Sequence, residues 1–269
     1  MPSATIPAMS ATPAWDRAAS LPVPVGRPVR PEVVALREDL PSVDELFTFM
    51  RDAERRFETL RMRIEEHTWG TRGETVAIHE LSLRHPGEAK VVTSVPAGGP
   101  QAPYRAWVSD GTTVRTYTSS RRLGTVRPVR PMVRGVADAR DLPGASRIYV
   151  PLTALEAESL PELFLHPAGF CQNVLGTGSL RITGTAEIAG RETIIVECDH
   201  PRTVEVAADR PDYRIVIAVD RSDGVILRLE ESVDDQVTRD AVVTSYEPNA
   251  SLAPTAFSFA IPTGATRLY

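Results

Sequence analysis

Five histidines are the side chains best suited to bind a metal ion or to move protons. They are His67, His79, His85, His166 and His200. The sequence contains neither His-Glu-x-x-His nor His-x-His, the spacings that place two ligands on one face. If the first hairpin turns at residues 70–73, His67 faces Val76. His79 then faces Ile64, so these two histidines are not neighbours, and we predict neither a metal site nor a cofactor.

Nucleophiles and acid–base pairs give no active site either. The sequence has no Gly-x-Ser-x-Gly elbow, and Gly176-Thr177-Gly178 precedes a predicted strand, so it indicates a turn rather than a dinucleotide site. Three carboxylate pairs remain: Glu65-Glu66, Glu230-Glu231 and Asp234-Asp235. Adjacent residues on a strand point to opposite faces, so such pairs fit solvated edges or turns. We predict no catalytic residue and no enzymatic activity.

The two cysteines leave two interpretations open. Cys171 and Cys198 are too few for a disulfide framework or a metal site. A single bridge between them would fit an oxidising compartment, whereas two buried thiols would fit a reducing one. Lys90 is the only lysine among 30 basic residues, which excludes most chemistry based on lysine.

Composition excludes several classes of protein. Hydrophobic residues form 42% of 269 residues, enough for a sizeable core, and the net charge of −5 argues against a nucleic-acid partner. No apolar run reaches the roughly 18 residues of a transmembrane helix, and the N-terminus lacks the pattern of a signal peptide. As written, the chain is expected in the cytoplasm. A trimmed chain or a misassigned start would make it extracytoplasmic or periplasmic.

Two segments stand apart by composition. Residues 1–42 hold eight of the 23 prolines, which favours an extended, poorly structured arm or linker before a single domain over 43–269. Residues 121–147 carry seven arginines against Asp138 and Asp141. We interpret this stretch as an irregular, solvated excursion across the sheet, with a mobile lid or a contact for anionic head groups as the alternative.

Two helical segments are predicted. Ser42-Val43-Asp44-Glu45 matches a capping box, in which serine and glutamate satisfy amide groups at the start of a helix. Apolar residues then recur at three- and four-residue steps, which predicts a helix over 43–58. A second helical stretch is predicted over 161–175, interrupted near Pro167 and Gly169.

Elsewhere apolar and polar residues alternate in short runs joined by turns, the pattern of antiparallel strands. Asp110-Gly111 indicates a two-residue hairpin turn, because both turn positions favour positive φ. We count about 10–11 strands, which exceeds the usual number in a flat open sheet. The predicted fold class is mainly β (α+β), a strongly curved antiparallel half-barrel with a helical lid.

A sheet of this size must curl, because each pair of strands adds a twist of about 20–25°. Curling leaves a concave apolar face suited to a hydrophobic ligand, unless the helix over 43–58 fills it. Trp107 is placed near one rim, just before the Asp110-Gly111 turn. The candidate lining residues are Phe47, Met50, Ile64, Val76, Ile78, Trp107, Ile215, Ile217 and Leu227.

The order of elements over residues 43–269 resembles the lipoprotein-carrier superfamily typified by LolA, with its LppX/LprG-type and MucB/RseB-type relatives. Two motifs carry most of this resemblance: the Val219-Asp220 hairpin with Gly224, and the closing Phe257-x-Phe259-x-x-Pro262. The resemblance implies a half-open barrel whose apolar cavity binds acyl chains. No arginine in this sequence can be matched to the lid-closing arginine of LolA.

Two functions follow as expectations. The first is a non-catalytic carrier or sensor that binds a lipid, an acyl chain or a lipoprotein on the concave face. The second is a protein-interaction or regulatory module with a self-filled cavity, similar to an RseB-like partner of an anti-sigma factor. A connected apolar void on the concave face would favour the first.

Overall fold

The computed structural model describes residue 36 and residues 39–96, 102–130, 151–201 and 212–268. These residues belong to one compact unit, Glu32–Tyr269. The helices are α1 (Val43–Arg51), α2 (Leu160–Leu165) and α3 (Ala168–Asn173), with short 3-10 turns at Ala53–Arg56, Ser119–Arg121 and Leu175–Thr177. The strands are β1 (Thr59–Gly70), β2 (Gly73–Arg84), β3 (Glu88–Ser94), β4 (Tyr104–Asp110), β5 (Thr113–Thr118), β6 (Leu123–Pro128), β7 (Ser179–Ile188), β8 (Arg191–Asp199), β9 (Tyr213–Asp220), β10 (Ile226–Val233), β11 (Gln236–Pro248) and β12 (Thr266–Leu268).

All twelve strands within the described ranges form one sheet, in the order β12-β6-β5-β4-β3-β2-β1-β11-β10-β9-β8-β7. Three strands separate β7 from β11 in this order, yet β7 contacts β11. This contact shows that the sheet bends strongly. The predicted curved antiparallel half-barrel is confirmed. One strand departs from the prediction of 10–11 antiparallel strands: β12 is an additional strand, and it pairs with β6 in parallel.

Most hairpin turns lie at the positions predicted from the sequence. Asp234 and Asp235 both have positive φ (52° and 58°), as the two-residue turn between β10 and β11 requires. The turn between β4 and β5 is displaced by one residue from the prediction. Gly111 has a φ of 87°, but Asp110 ends β4, and its carboxylate accepts the amide protons of Thr112 and Thr113.

The helices follow their local signals. Ser42 and Glu45 form the predicted capping box, with a Ser42 N to Glu45 Oε2 distance of 2.8 Å. The regular helix ends at Arg51 rather than at residue 58, and the chain continues as the 3-10 turn Ala53–Arg56. The second helical stretch is broken at Pro167, as predicted, because proline lacks an amide proton and fixes its φ.

The arginine-rich segment is partly regular. Its residues 123–128 form β6, so the interpretation of 121–147 as irregular throughout is wrong for that part. Residues 131–147 lie outside the described residues, as does most of the predicted arm over 1–42. The expectations for those parts stay predictions.

One face of the sheet carries the core. We call it the inner face, the face that α1, α2 and α3 cover, and the opposite one the outer face. On β1 the inner face presents Leu60, Met62 and Ile64, each at most 1% exposed. The register pairs Leu60 with Leu83 and Met62 with Leu81, so apolar rows continue across neighbouring strands.

The C-terminal residues cross the outer face of β2 to β6. Phe257 and Ile261 are buried there, and Ile261 lies over Gly124 of β6, where a Cβ atom would come within 2.8 Å of it. Arg84 donates hydrogen bonds to the carbonyls of Leu252 and Ala253 and lies 5.1 Å from the ring centroid of Phe257. The closing aromatic motif therefore anchors the chain end to the sheet.

Candidate functional site on the inner face of the sheet

Six of the nine predicted lining residues lie in the buried core on or against the inner face. They are Met50, Ile64, Trp107, Ile215, Ile217 and Leu227, each at most 3% exposed. Phe47 is only half-buried, because it lies at the edge of the α1 face that contains Leu46 and Met50. That any of these residues contacts a ligand stays a prediction.

The placement of Val76 and Ile78 on the same face as Ile64 is wrong. The register pairs Ile64 with His79 and Glu65 with Ile78, so the side chains of Val76 and Ile78 point to the outer face. The cause lies in β2 itself, where apolar residues occupy outer positions 76 and 78 and then inner positions 81 and 83.

A line of polar side chains crosses the inner face beside the apolar rows. We call it the polar belt, and it consists of Thr93, His79, Glu66, Arg239, Glu231 and Tyr213. These residues come from six adjacent strands, β3, β2, β1, β11, β10 and β9. Such a row on a face that is otherwise apolar requires internal hydrogen bonds, since unpaired polar groups are costly there.

The first half of the polar belt is centred on His79. Its Nδ1 lies 3.1 Å from Thr93 Oγ1, and its Nε2 lies 2.9 Å from Glu66 Oε2. The side chains of His79 and Glu66 are 11% and 15% exposed. Burial raises the pKa of Glu66, but the hydrogen bonds from His79 and Arg239 outweigh it, so this pKa lies below its usual value. Glu66 is therefore a carboxylate at neutral pH.

The second half of the belt is centred on Arg239. Its Nε donates to Glu66 Oε1 at 2.7 Å, whereas its NH1 lies 3.4 Å from Glu231 Oε1. Burial, together with the neighbouring Glu231, raises the pKa of Tyr213, so the phenol keeps its proton. Arg239 and Glu231 are 27% and 21% exposed, which leaves this half of the belt accessible from solvent.

Sequence reasoning missed the belt, although a signal was present. On β1 the inner positions 60, 62 and 64 are apolar, and Glu66 follows at the same spacing. On β2, read backwards, Leu83 and Leu81 are followed by His79 in the same way. A charged residue that continues an apolar alternation indicates that the buried face itself becomes polar.

A buried hydrogen bond between Glu54 and His166 joins the segments that cover the inner face. Glu54, in the 3-10 turn after α1, lies 3.0 Å from Nε2 of His166, the residue that ends α2. Its other oxygen accepts the amide proton of Leu152 at 2.9 Å. Both ionisable side chains are at most 1% exposed. This contact holds the turn after α1, the end of α2 and the chain before α2 together.

A second network joins the turn between β9 and β10 to α1. Arg191 forms two hydrogen bonds with the carboxylate of Asp220, at 2.8 and 2.9 Å, and a third with Asp223 at 2.7 Å. Arg56 donates to the carbonyls of Phe49 and Asp223. The turn therefore serves as an anchor for the C-terminal end of α1.

Stability should depend on pH through His85, which packs on Phe57 and accepts or donates a hydrogen bond at Thr153. Burial lowers the pKa of His85 despite the nearby Glu54 carboxylate. As the pH falls, His85 of the unfolded chain is protonated near pH 6.5, whereas His85 of the folded chain is protonated only at a lower pH. Relative to a His85→Gln variant, the unfolding free energy of the unmodified protein should fall between about pH 7 and pH 5.

His67 provides a control of opposite sign for this measurement. It lies on the outer face, and hydrogen bonds that its ring donates to the carboxylates of Glu74 and Glu65 raise its pKa. A raised pKa adds stability at low pH, and this stability is lost as pH rises through the folded-state pKa. Urea titrations of His67→Gln should therefore show the reverse trend, and parallel curves for both variants would contradict the assignment.

Other potential sites are limited in the part of the chain that the structure describes. No group of three or more histidine, cysteine, aspartate or glutamate side chains there is arranged to hold a metal ion. No helix among those residues is long and apolar enough to cross a membrane. Cys171 and Cys198 are buried free thiols, and burial raises their pKa to about 12 and about 11. Both thiols are therefore protonated and unreactive at neutral pH.

No protein-family model and no curated protein matches the sequence. Among solved structures, the chain is similar to the MucA/MucB complex from Pseudomonas aeruginosa, at 13% identity over 80% of this chain and 60% of that chain, with a TM-score of 0.44. LprF from Mycobacterium bovis matches at 12% identity over 83% of this chain and 98% of that chain, with a TM-score of 0.34. A LolA superfamily protein from Nitrosomonas europaea matches at 9% identity over 82% and 99%, with a TM-score of 0.32.

This chain spans between 59% and 62% of the length of the MucB chains that it matches. The resemblance found from the sequence motifs was also to LolA and MucB. Similarity at these identities concerns the fold alone.

Proposed function

We propose that this protein is a non-catalytic binding protein that takes up a hydrophobic molecule, such as a lipid, an acyl chain or a lipoprotein, on the inner face of its sheet. One observation carries the proposal: six adjacent strands place apolar side chains on this face, and the helices that cover them among the described residues are short. The side chains in question are Leu81, Met62, Val243, Leu229, Ile217 and Val196.

The cover can be displaced because its pieces are short. The helices α1, α2 and α3 have nine, six and six residues, and helices of this length are unstable in water without a partner. Their order therefore depends on the same apolar rows that an acyl chain would occupy. Burial of about 300 Å² of acyl surface contributes roughly 7.5 kcal/mol before the cost of association, enough to compete with part of this cover.

A variant at Gly224 tests whether displacement of α1 opens the site. A Cβ atom there would lie 3.2 Å from Met50 Cα and 3.0 Å from the ring of Phe49, so Gly224→Ala should push the end of α1 away from the sheet. We expect a lower melting temperature and severalfold tighter binding of an apolar fluorescent probe. Equilibrium titration of the probe against the purified chain measures this.

Gly190→Ala is the matched control. Gly190 also has positive φ (72° against 77° for Gly224), but nothing lies within 4 Å of a Cβ atom placed there. The backbone strain is therefore similar, whereas the contact with α1 is absent. Probe affinity should stay unchanged in Gly190→Ala. If the probe bound neither the unmodified protein nor Gly224→Ala, the proposal would be refuted.

A second function is favoured by how completely the helices fill the inner face. Leu46, Met50 and Phe164 have no exposed surface, so the described helices already occupy the space above the apolar rows. This packing supports a protein-interaction or regulatory module whose cavity is filled by its own side chains. Such a module would bind neither probe nor lipid, and the titration above therefore separates the two functions.

A further inference from the structure

We infer that the polar belt receives the head group of the bound amphiphile and that this head group is cationic, as in an alkylammonium ion. The inference rests on the proposed function, because it assumes that the apolar part of the ligand lies on the inner face. It adds the chemical class of the ligand, which the apolar rows alone leave open.

Position is the first argument. On β1 the belt residue Glu66 follows directly after Ile64 on the inner face, and on β10 Glu231 follows after Leu229. An acyl chain that lay along the direction of β1 or β10 would therefore end at the belt. The side chains of His79, Glu66, Glu231 and Arg239 are 11–27% exposed, so a head group can touch them and still contact water.

Charge is the second argument. The belt contains two carboxylates, Glu66 and Glu231, and one fixed cation, Arg239. Next to the belt on this face, Arg105 pairs with Glu156, and Arg127 also lies near Glu156. Among the described residues, the two carboxylates and the one guanidinium of the belt leave one negative charge in excess. A low local dielectric increases the attraction of this excess charge for a cation and the repulsion of an anion.

Unused hydrogen-bonding capacity is the third argument. Arg239 directs both Nε and NH2 to Glu66 Oε1 at 2.7 Å, so little of this guanidinium is left for an anionic ligand. Among the described residues, Glu231 accepts a long contact of 3.4 Å from Arg239 and a hydrogen bond from the Tyr213 hydroxyl. A carboxylate has room for about four hydrogen bonds, so Glu231 can accept the protons of an ammonium group.

The test uses three amphiphiles with the same chain: dodecylamine, dodecanol and dodecanoate. Each displaces an apolar fluorescent probe from the full chain at low salt and about pH 8, where free histidine is neutral. We expect dodecylamine to bind about tenfold more tightly than dodecanol, and dodecanoate to bind more weakly than either. The preference for the amine should shrink as salt screens the charges, a measurement that needs no variant.

The Glu231→Gln variant should lose the preference and bind all three compounds with similar affinity. Glu80→Gln is the matched control, since Glu80 is an exposed outer-face glutamate paired with Arg63, and its removal should leave the preference intact. Equal affinities for the three compounds, or tightest binding of dodecanoate, would overturn the head-group inference and leave the proposed function standing. If the probe itself did not bind to the protein, both the head-group inference and the proposed function would be overturned.

Discussion

Asp220→Ala should destabilise the fold by about 3–5 kcal/mol, the usual cost of removing one partner of a buried ion pair. The Asp220 side chain is 1% exposed and accepts two hydrogen bonds from Arg191. Its Oδ1 also accepts the amide protons of Ser222 and Asp223, which fixes the turn between β9 and β10. Alanine would leave the two amide groups without this acceptor and the partly buried Arg191 guanidinium with Asp223 as its remaining partner in this turn.

The chain contains a matched control for this prediction. Asp110 accepts the amide protons of Thr112 and Thr113 and binds Arg115 at 2.6 Å, so its contacts resemble those of Asp220. Its side chain is 32% exposed, however, and water can replace the lost partners. Asp110→Ala should therefore cost only about 1 kcal/mol.

Urea denaturation followed by circular dichroism measures both free energies. A difference of at least 2 kcal/mol between the two variants is expected, since the contacts match and only burial differs. Equal losses would show that the turn itself, rather than the buried charge, determines the effect. A probe titration of Asp220→Ala tests the anchor between this turn and α1, because a loosened α1 should raise the affinity for an apolar probe.

Local signals predicted the local structure well. The first hairpin has the predicted register, with His67 opposite Val76 and His79 opposite Ile64. The alternation of β1 and the turn at residues 70–73 are sufficient for this result, because turn length fixes the register of a hairpin. The capping box at Ser42 also needed only four consecutive residues.

Features that depend on distant strands were not predicted. The misplacement of Ile78 is a different case, since the predicted register already set His79, not Ile78, opposite Ile64. The polar belt joins Glu66 to Arg239, which are 173 residues apart. Pairing of β1 with β11 brings them together, and no pattern within either strand specifies that pairing.

The second large effect concerns the buried Glu54 beneath the helices, where Glu54→Ala should cost about 2–4 kcal/mol because two buried hydrogen bonds are lost. Glu54 and His166 are at most 1% exposed, and the substitution would leave His166 Nε2 and the Leu152 amide without this carboxylate. These contacts join the turn after α1 to the end of α2. The substitution should therefore destabilise the helices that cover the inner face before it destabilises the sheet. Hydrogen exchange should accordingly rise first in α1 and α2, with β1 and β11 still protected.

Glu80→Ala is the control for Glu54→Ala, since it removes a glutamate paired with Arg63 at 2.6 Å whose side chain is 59% exposed. Exposed pairs of this kind contribute about 0–1 kcal/mol, so this variant should unfold nearly as the unmodified protein does. If Glu54→Ala lowered protection uniformly across helices and strands, the cover and the sheet would unfold as one unit. A cover that opens separately is what uptake of a ligand on the inner face requires, so uniform loss would count against the displaceable cover as well as against the local role of Glu54.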